Sequence, residues 1–332
     1  MNQRLRIMTF NWHESYIYNL AKSKHRFFVR SSEPDYSRVA HWDKSVAPIP
    51  PNVRLISEAE GNNLIATDQI DLLIAHNFNE QSLAKMAGLP SVLIFHNSLS
   101  AQLSAMEKSL SRSRYLDELY PVIESAEALV FTSKSIADDW SLKIESTTIN
   151  PGIDTDIFTL SSKVGHPAVL REVNLARRRN TVFDHKFTRQ VLDGFRSSLT
   201  PTKRASIRNQ PLKQMLERGN MYNRYRVFLH ITNEPYEDGL TTTLLEAMSS
   251  GASIVSNVSA GSPIIDGVNG FASNDPKLLN KRIIQLFKDE KLAKRIGSKG
   301  RQSVLDNYSI QRFENEWDLI IQKVAPSYAY SK

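Results

Sequence analysis

The fold of this chain is decided by the stretch from 70 to 97, which reads IDLLIAHNFNEQSLAKMAGLPSVLIFHN. Two continuous apolar runs, 70–75 and 90–95, flank a helix predicted at 80–87 with Gly88 as its C-terminal cap. Continuous rather than alternating apolar runs are typical of strands that are buried on both faces of a parallel sheet. The stretch therefore predicts a strand–helix–strand unit of an α/β fold.

The same alternation extends along the rest of the chain. Further strands are predicted at 5–10, 27–29, 128–131, 169–170, 227–231 and 253–256. Further helices are predicted at 15–23, after Ser135, and at 187–195, 241–249, 276–287, 290–304 and 310–324. The region 103–128 is predicted to be mostly helical with a break near Pro121, and 267–271 to be a turn.

The length of 332 residues suggests two domains. The turn at Pro151 and Gly152 predicts a hinge between a domain at 1–150 and a domain at 151–309. A C-terminal helix at 310–326 is expected to pack back on the first domain. The fold class is α/β, with two Rossmann-like, doubly wound parallel-sheet domains that face each other across a cleft.

The composition excludes several classes of protein. The chain has no cysteine, which rules out a disulfide scaffold, a cysteine nucleophile and a thiolate metal site. No apolar run approaches the 18–20 residues that a membrane span needs. The apolar run at 5–10 is soon interrupted by His13 and Glu14, which argues against a signal peptide. We expect a cytoplasmic location.

The net charge of +7 is concentrated in the second half of the chain. Residues 163–226 carry 15 Lys and Arg against four acids. One interpretation is a field that attracts an anion, such as a phosphate or an anionic membrane, and the other is a solvated outer face. The sequence has no zinc-finger spacing, interleaved aromatic residues or basic helix followed by heptads, so no nucleic acid is expected as a partner.

Polar side chains follow the ends of the predicted strands in the first domain. They are His13, His76, His96 and Thr132. Ligands bind beyond the C-terminal ends of parallel strands, so these residues are expected to line one edge. His13 and Glu14 are candidates for contact with an acceptor or a phosphate.

The densest chemical pattern lies at 237–246, which reads EDGLTTTLLE. Gly239 allows the backbone to approach a ligand closely, and Thr241 and Thr242 stand at a helix start, which favours an anion. A diphosphate at the helix tip would present a sugar to Asp238 or Glu237 and a ribose to Glu246. The alternative is a capped surface helix with Glu246 in water.

This stretch resembles the donor-site signature of family 4 glycosyltransferases, which are retaining enzymes of the GT-B type. In both, a carboxylate and a Glu stand eight positions apart around a glycine-containing helix start, here Asp238 and Glu246, followed by Ala-Met and a glycine at Gly251. Further stretches resemble other family motifs. Residues 149–154, with Phe158, resemble the linker between the domains, and 267–271 resemble the late turn. Residues 71–76, 90–96 and 126–133 resemble successive strands of the family's first domain.

The resemblance implies transfer of a hexose from a nucleotide-diphosphate sugar to an acceptor hydroxyl with retention. It places His96 beside the reacting carbon, with Asp238 or Glu237 also catalytic. The donor-binding set would be Glu246, Gly239, Leu240, Thr241, Thr242, Asn174, Arg177, Arg178 and Arg179. The acceptor is expected to be a saccharide or a lipid-linked sugar in cell-envelope or surface polysaccharide synthesis, with peripheral contact of the basic surface to the anionic inner leaflet.

The sequence departs from the family pattern at two places. Asp238 stands where the family normally has Glu. Asn174 stands where the family has an Arg, and one of Arg177, Arg178 and Arg179 takes the place of a Lys that grips the diphosphate. This cationic grip, together with the backbone N–H groups of 240–242, predicts that no metal and no cofactor beyond the sugar nucleotide are required.

Three other functions stay open. A GT-B relative such as a nucleotide-sugar epimerase or a sugar-phosphate-using synthase shares the fold. A catalytically weakened GT-B protein would bind sugar nucleotide or polysaccharide without transfer, and the Asp238 and Asn174 departures motivate it. A nucleic-acid binder would use the basic stretch.

Overall fold

The structure is a computed structural model that describes residues 4–31, 42–44, 46–106, 111–161, 163–171, 184–195, 197–199 and 211–325. The chain divides into two compact units. The N-terminal unit comprises residues 1–151 together with 311–332, and the C-terminal unit comprises residues 152–310. Both units are built of strands that alternate with helices, which confirms the α/β class.

The N-terminal unit is built on seven strands. They are β1 (Arg6–Phe10), β2 (Arg26–Arg30), β3 (Val53–Ile56), β4 (Leu72–Ala75), β5 (Ser91–Phe95), β6 (Ala128–Phe131) and β7 (Thr147–Thr148). All pairs are parallel, and the order is β3-β2-β1-β4-β5-β6-β7. The chain winds from β1 out to β3 and then returns to the other side of β1. The switch point between β1 and β4 is therefore the expected ligand position.

This unit also contains helices. They are α1 (Glu14–Leu20), α2 (Glu58–Ala66), α3 (Phe78–Ala87), α4 (Leu99–Ser104), α5 (Arg112–Ile123), α6 (Lys134–Trp140) and α12 (Ile310–Val324). Strands β4, β5 and β6 are buried along their whole length, as their continuous apolar runs predict. Side-chain caps begin several helices, and Gly88 ends α3 in the left-handed conformation with φ of 63°.

The C-terminal unit is built on a five-stranded parallel sheet. Its strands are β8 (His166–Arg171), β9 (Ser197–Leu199), β10 (Tyr225–His230), β11 (Ser253–Ser256) and β12 (Phe271–Ala272). They lie in the order β12-β11-β10-β8-β9. The order reverses between β8 and β10, so the loop that follows β10 leaves the sheet at the switch point.

The helices of this unit pack on its sheet. They are α7 (His185–Val191), α8 (Pro211–Tyr222), α9 (Thr242–Ser249), α10 (Pro276–Lys288) and α11 (Glu290–Asn307). One buried cluster joins α9 to β10 through Leu244, Met248 and Phe228. Another joins α10 to the sheet through Ile283 and Val227.

The structure differs from the sequence prediction at several elements. Helix α5 runs through Pro121 instead of breaking there, because the missing N–H falls in the last turn and Glu124 still donates to the Tyr120 carbonyl at 2.8 Å. The region 103–128 holds the end of α4 and all of α5 rather than one helix. The late turn at 267–271 leads into the short strand β12, which pairs with β11. Strands β3, β7 and β9 and helices α2 and α8 were not predicted.

Candidate functional site

The loop after β10 carries the two predicted acidic residues, Glu237 and Asp238, both half-buried. The next residue, Gly239, has φ of 89°, and a Cβ there would lie 2.6 Å from the Cβ of Ser259. Only glycine fits both this backbone and this spacing. The Gly261 N–H also donates to the Asp238 carbonyl at 2.7 Å. The neighbouring segment therefore fixes the position of the acidic loop.

Helix α9 begins directly after this loop with Thr241 as its cap, whose hydroxyl accepts from the Leu244 N–H at 3.0 Å. The Asp238 carboxylate accepts from the Leu240 N–H at 3.1 Å, so this predicted phosphate donor already has a partner inside the protein. Within the described residues, the backbone N–H groups of Thr241 and Thr242 make no hydrogen bond. These two groups are the donors that remain for an anion at the helix start.

Glu246 lies further along α9 and is only 7% exposed. Its Oε2 accepts from the Tyr222 hydroxyl at 3.0 Å, and its Oε1 accepts from the Arg218 guanidinium at 3.3 Å. Burial raises the pKa of Glu246, while Arg218 and Tyr222 oppose the rise. The open surface position that was the alternative interpretation is therefore wrong. Each carboxylate oxygen still has a second lone pair for a ligand hydroxyl.

The N-terminal unit brings His96 and His76 together at its switch point. His76 follows β4 and is 3% exposed, whereas His96 follows β5 and is half-buried. The His76 Nδ1 and the His96 Nε2 are 2.8 Å apart, and the Thr9 hydroxyl of β1 is 2.9 Å from the His76 Nε2. Burial lowers the pKa of His76 to about 3. Burial, with smaller contributions from His76 and His13, also lowers the pKa of His96 well below its ordinary value.

Two aromatic side chains from the loop and helix after β1 enclose this histidine pair. The Trp12 ring is parallel to that of His96, with centroids 4.9 Å apart, and Trp12 is 43% exposed. Tyr16 is buried and meets the His96 ring edge-on at 5.2 Å, and Phe313 of α12 packs at a right angle to Tyr16 with ring centroids 5.6 Å apart. The histidine pair is thus packed among aromatic rings, and the Trp12 ring on one face is partly exposed to solvent.

The two candidates in the first strand–helix loop have different surroundings. His13 is exposed and begins α1 without a side-chain cap. Glu14 is buried, and its Oε1 accepts from the Asn11 amide at 3.2 Å and from the Asp43 N–H at 3.0 Å. Glu14 therefore ties the loop to the segment around Asp43, whereas His13 is the one of the two that a ligand can reach.

Four predicted donor residues, Asn174, Arg177, Arg178 and Arg179, lie outside the described residues, as does much of the basic stretch. In the described ranges, no group of three or more acidic and histidine side chains is arranged to hold a metal ion. No helix in those ranges is long and apolar enough to cross a membrane.

Sequence reasoning missed four residues that build these sites. Arg218 and Tyr222 lie on α8, four positions apart and thus on one helix face, but the surrounding charge-rich sequence hid the helix. Thr9 lies inside an apolar strand, where its hydroxyl gives no sequence signal. Trp12 could have been found, because an aromatic residue directly after a strand end is a candidate for a ligand surface.

Comparisons with known proteins agree with this architecture. Residues 213–303, which include the acidic loop and α9, match the family model of the glycosyl transferases group 1. No curated protein sequence matches the chain.

Several solved structures are similar over nearly the whole chain. A glycosyltransferase from Rickettsia africae aligns with a TM-score of 0.69 at 13% identity, covering 97% of this chain and 99% of that one. Sucrose-phosphate synthase from Thermosynechococcus elongatus aligns with a TM-score of 0.67 at 13% identity, covering 98% and 100%. HepE from Anabaena, solved with UDP and glucose, aligns with a TM-score of 0.67 at 15% identity, covering 96% and 100%. The chain therefore has the GT-B fold, and residues 213–303 of its C-terminal unit are similar to the group 1 glycosyl transferases.

Proposed function

We propose that this protein transfers a hexose from a nucleotide-diphosphate sugar to an acceptor hydroxyl with retention at the anomeric carbon. The observation that carries the proposal is the position of the acidic loop and α9 at a switch point, inside the matched group 1 domain. HepE, which has the same fold, was solved with UDP-glucose, which supports a sugar nucleotide as the donor.

The barrier to this reaction is charge separation, because the diphosphate leaves as the sugar becomes oxocarbenium-like. Preorganised donors at the leaving group lower such a barrier. The N–H groups of Thr241 and Thr242 and the positive end of the α9 dipole suit this role, and the cluster 177–179 adds cationic donors. This grip requires no divalent metal. Full activity in excess chelator is expected, and a loss that magnesium restores would contradict the metal-free mechanism.

The carboxylates and His96 bind the sugar nucleotide in this proposal. Glu246 accepts ribose hydroxyls with the lone pairs that Tyr222 and Arg218 leave unused. Asp238 or Glu237 meets the donor sugar, and His96 is the polar group beside the reacting carbon. The acceptor is a saccharide or a lipid-linked sugar, in cell-envelope or surface polysaccharide synthesis, and the basic surface holds the protein at the anionic inner leaflet.

The donor site is tested by substituting Glu246. A panel of nucleotide sugars is first screened by thermal shift, because a ligand stabilises the folded state that it binds. Glu246→Gln is then compared with Glu290→Gln, which removes an exposed carboxylate in the same unit. We expect calorimetry to show about 10-fold weaker donor binding in Glu246→Gln, because the donor loses hydrogen bonds to a charged group. Donor binding should be unchanged in Glu290→Gln. Unchanged donor binding in a folded Glu246→Gln protein would show that Glu246 is not part of the donor site.

A second candidate function is donor binding without transfer. The contact of Asp238 with the Leu240 N–H favours it, because this bond occupies an oxygen of a carboxylate that is proposed to meet the donor sugar. Calorimetric donor binding with neither hydrolysis nor transfer would establish this function. A product whose anomeric configuration matches that of the donor, read by NMR, would instead support retaining transfer.

A further inference from the structure

A chain of hydrogen bonds crosses three adjacent strands at the switch point of the N-terminal unit. It starts at the Ile74 carbonyl of β4, which lies 3.0 Å from the Thr9 hydroxyl of β1. It continues from this hydroxyl to the His76 Nε2 at 2.9 Å and from the His76 Nδ1 to the His96 Nε2 at 2.8 Å. The donor proposal gives no role to Thr9 or His76.

Counting protons fixes the direction of every bond in this chain. A carbonyl oxygen only accepts, so the single hydroxyl proton of Thr9 goes to Ile74. The Thr9 oxygen must then accept from the His76 Nε2–H. A neutral imidazole carries one proton, so the His76 Nδ1 is an acceptor and receives the Nε2–H of His96.

The ring geometry supports a hydrogen bond rather than stacking between the two histidines. Their planes are tilted by only 20°, and their centroids lie 5.1 Å apart. The N···N distance of 2.8 Å is shorter than the roughly 3.5 Å at which stacked rings touch. The rings are therefore nearly coplanar and meet edge to edge, with the parallel Trp12 ring over them.

Burial keeps both rings neutral, which the proton count requires. Burial lowers the pKa of both rings, that of His76 to about 3. Among the described residues no group hydrogen-bonds the His96 Nδ1, and His96 is only half-buried. The chain therefore ends in a lone pair on a nitrogen at a partly exposed residue.

We propose that Thr9 and His76 are positioning residues that hold His96 as the Nε2–H tautomer, so that its Nδ1 accepts a hydrogen bond from a ligand hydroxyl. The inference rests on the proposed function, in which that hydroxyl belongs to a sugar. It restricts the role of His96, because the Nδ1 then accepts a hydrogen bond from a hydroxyl and cannot donate one. A phosphate oxygen, which needs a donor, is not bound at this nitrogen.

The tautomer can be read directly by long-range proton–nitrogen NMR of the 15N-labelled, ligand-free protein at pH 7. Loss of signals in His76→Gln and His96→Gln assigns the two rings. We expect both wild-type rings to be neutral with Nε2 protonated. A protonated Nδ1 on His96, or a cationic ring, would overturn the positioning role without affecting the donor-site test at Glu246.

Variants of Thr9 and His76 separate positioning from simple packing. Thr9→Val keeps the shape but removes the acceptor, whereas Thr9→Ser keeps the hydroxyl. Thr9→Val is expected to mix the tautomers of His76 and His96, and Thr9→Ser to preserve them. For His76, Gln retains an acceptor for the His96 Nε2–H and Leu does not. We expect about a 10-fold lower kcat/KM for His76→Leu with a mixed His96 tautomer, and recovery to about wild type for His76→Gln.

Binding of a donor found by thermal shift tests the ligand contact. We expect the His96 Nδ1 resonance to move by several parts per million when the sugar nucleotide is added, with the Nε2 proton retained. An unchanged Nδ1 resonance under saturating donor and acceptor would refute the contact. Preserved tautomers in a folded Thr9→Val protein would refute the role of Thr9.

Discussion

The two candidate sites differ in how their polar groups are satisfied. In the N-terminal unit, the hydrogen bonds from Thr9 to His96 end in one nitrogen without a partner among the described residues. In the C-terminal unit, Asp238 and Glu246 already accept hydrogen bonds from protein groups. The first arrangement can bind a ligand without breaking any hydrogen bond within the protein. The second must share or exchange its partners, so its binding energy depends on what supports the carboxylates.

The largest effect is expected at Gly239, which supports the acidic loop. Gly239→Ala adds a Cβ at 2.6 Å from the Ser259 Cβ and forces alanine into φ of 89°. We expect a loss of about 3 kcal/mol in the free energy of unfolding of the C-terminal unit, from overpacking and backbone strain together. Denaturant unfolding monitored by fluorescence measures it.

Gly267→Ala is the matched control, because it has φ of 72° but no atom within 4 Å of the added Cβ. It isolates the strain, expected to be about 1 kcal/mol. Equal losses in the two variants would show that the packing of Gly239 against Ser259 does not hold the loop.

The next effect concerns pH and the neutral histidine pair. The pKa of His76 is about 3 in the folded protein and about 6.5 in the unfolded chain. Between these values the unfolded chain binds more protons, so stability is present above pH 6.5 and is lost as the pH falls. His76→Gln removes this titration. We expect it to reduce the acid-induced loss at pH 4 by about 3 kcal/mol, measured by chemical unfolding from pH 4 to 7.

The control for this prediction is His166→Gln, which changes an exposed histidine of β8. The acid slope of this variant is the reference with which the slope of His76→Gln is compared. If the free energy of unfolding of His76→Gln depends on pH as in the wild type, burial does not lower the pKa of His76. The proposed tautomer would then have no support from the neutral state of this ring.

How far the sequence predicts this molecule depends on where each partner comes from. The strands β4 to β6 follow from their apolar runs, and His76 and His96 follow from their positions at strand ends. The bond between Thr9 and His76 joins residues 67 positions apart, and no local pattern reports such a contact. The partners of Glu246 come from α8, whose amphipathic pattern is obscured by the charge of the flanking sequence. Local periodicity therefore predicts the elements and one end of each contact, and tertiary packing decides the other end.

A smaller effect is expected at Tyr222, which supports Glu246. Tyr222→Phe removes a hydrogen bond to a buried carboxylate and should cost about 1 kcal/mol at neutral pH. The pKa of Glu246 is already raised in the folded state, so its folded form binds more protons and stability falls as the pH rises through that pKa. The variant raises this pKa further, and its loss should therefore be greater at pH 8 than at pH 5. Tyr225→Phe, at a half-buried tyrosine of the same unit, should show neither effect.

The smallest effect on stability is expected at Trp12, although its effect on the histidine pair is diagnostic. Trp12 is 43% exposed, so Trp12→Ala should cost less than about 1 kcal/mol of unfolding free energy. The ring nevertheless covers one face of His96, and its removal admits water. Since burial is the main cause of the low pKa of His96, that pKa should rise toward its ordinary value in Trp12→Ala and stay low in Trp12→Phe, which keeps a ring. NMR titration of the His96 ring measures its pKa in both variants. Equal pKa values would show that the Trp12 ring does not shield His96 from water.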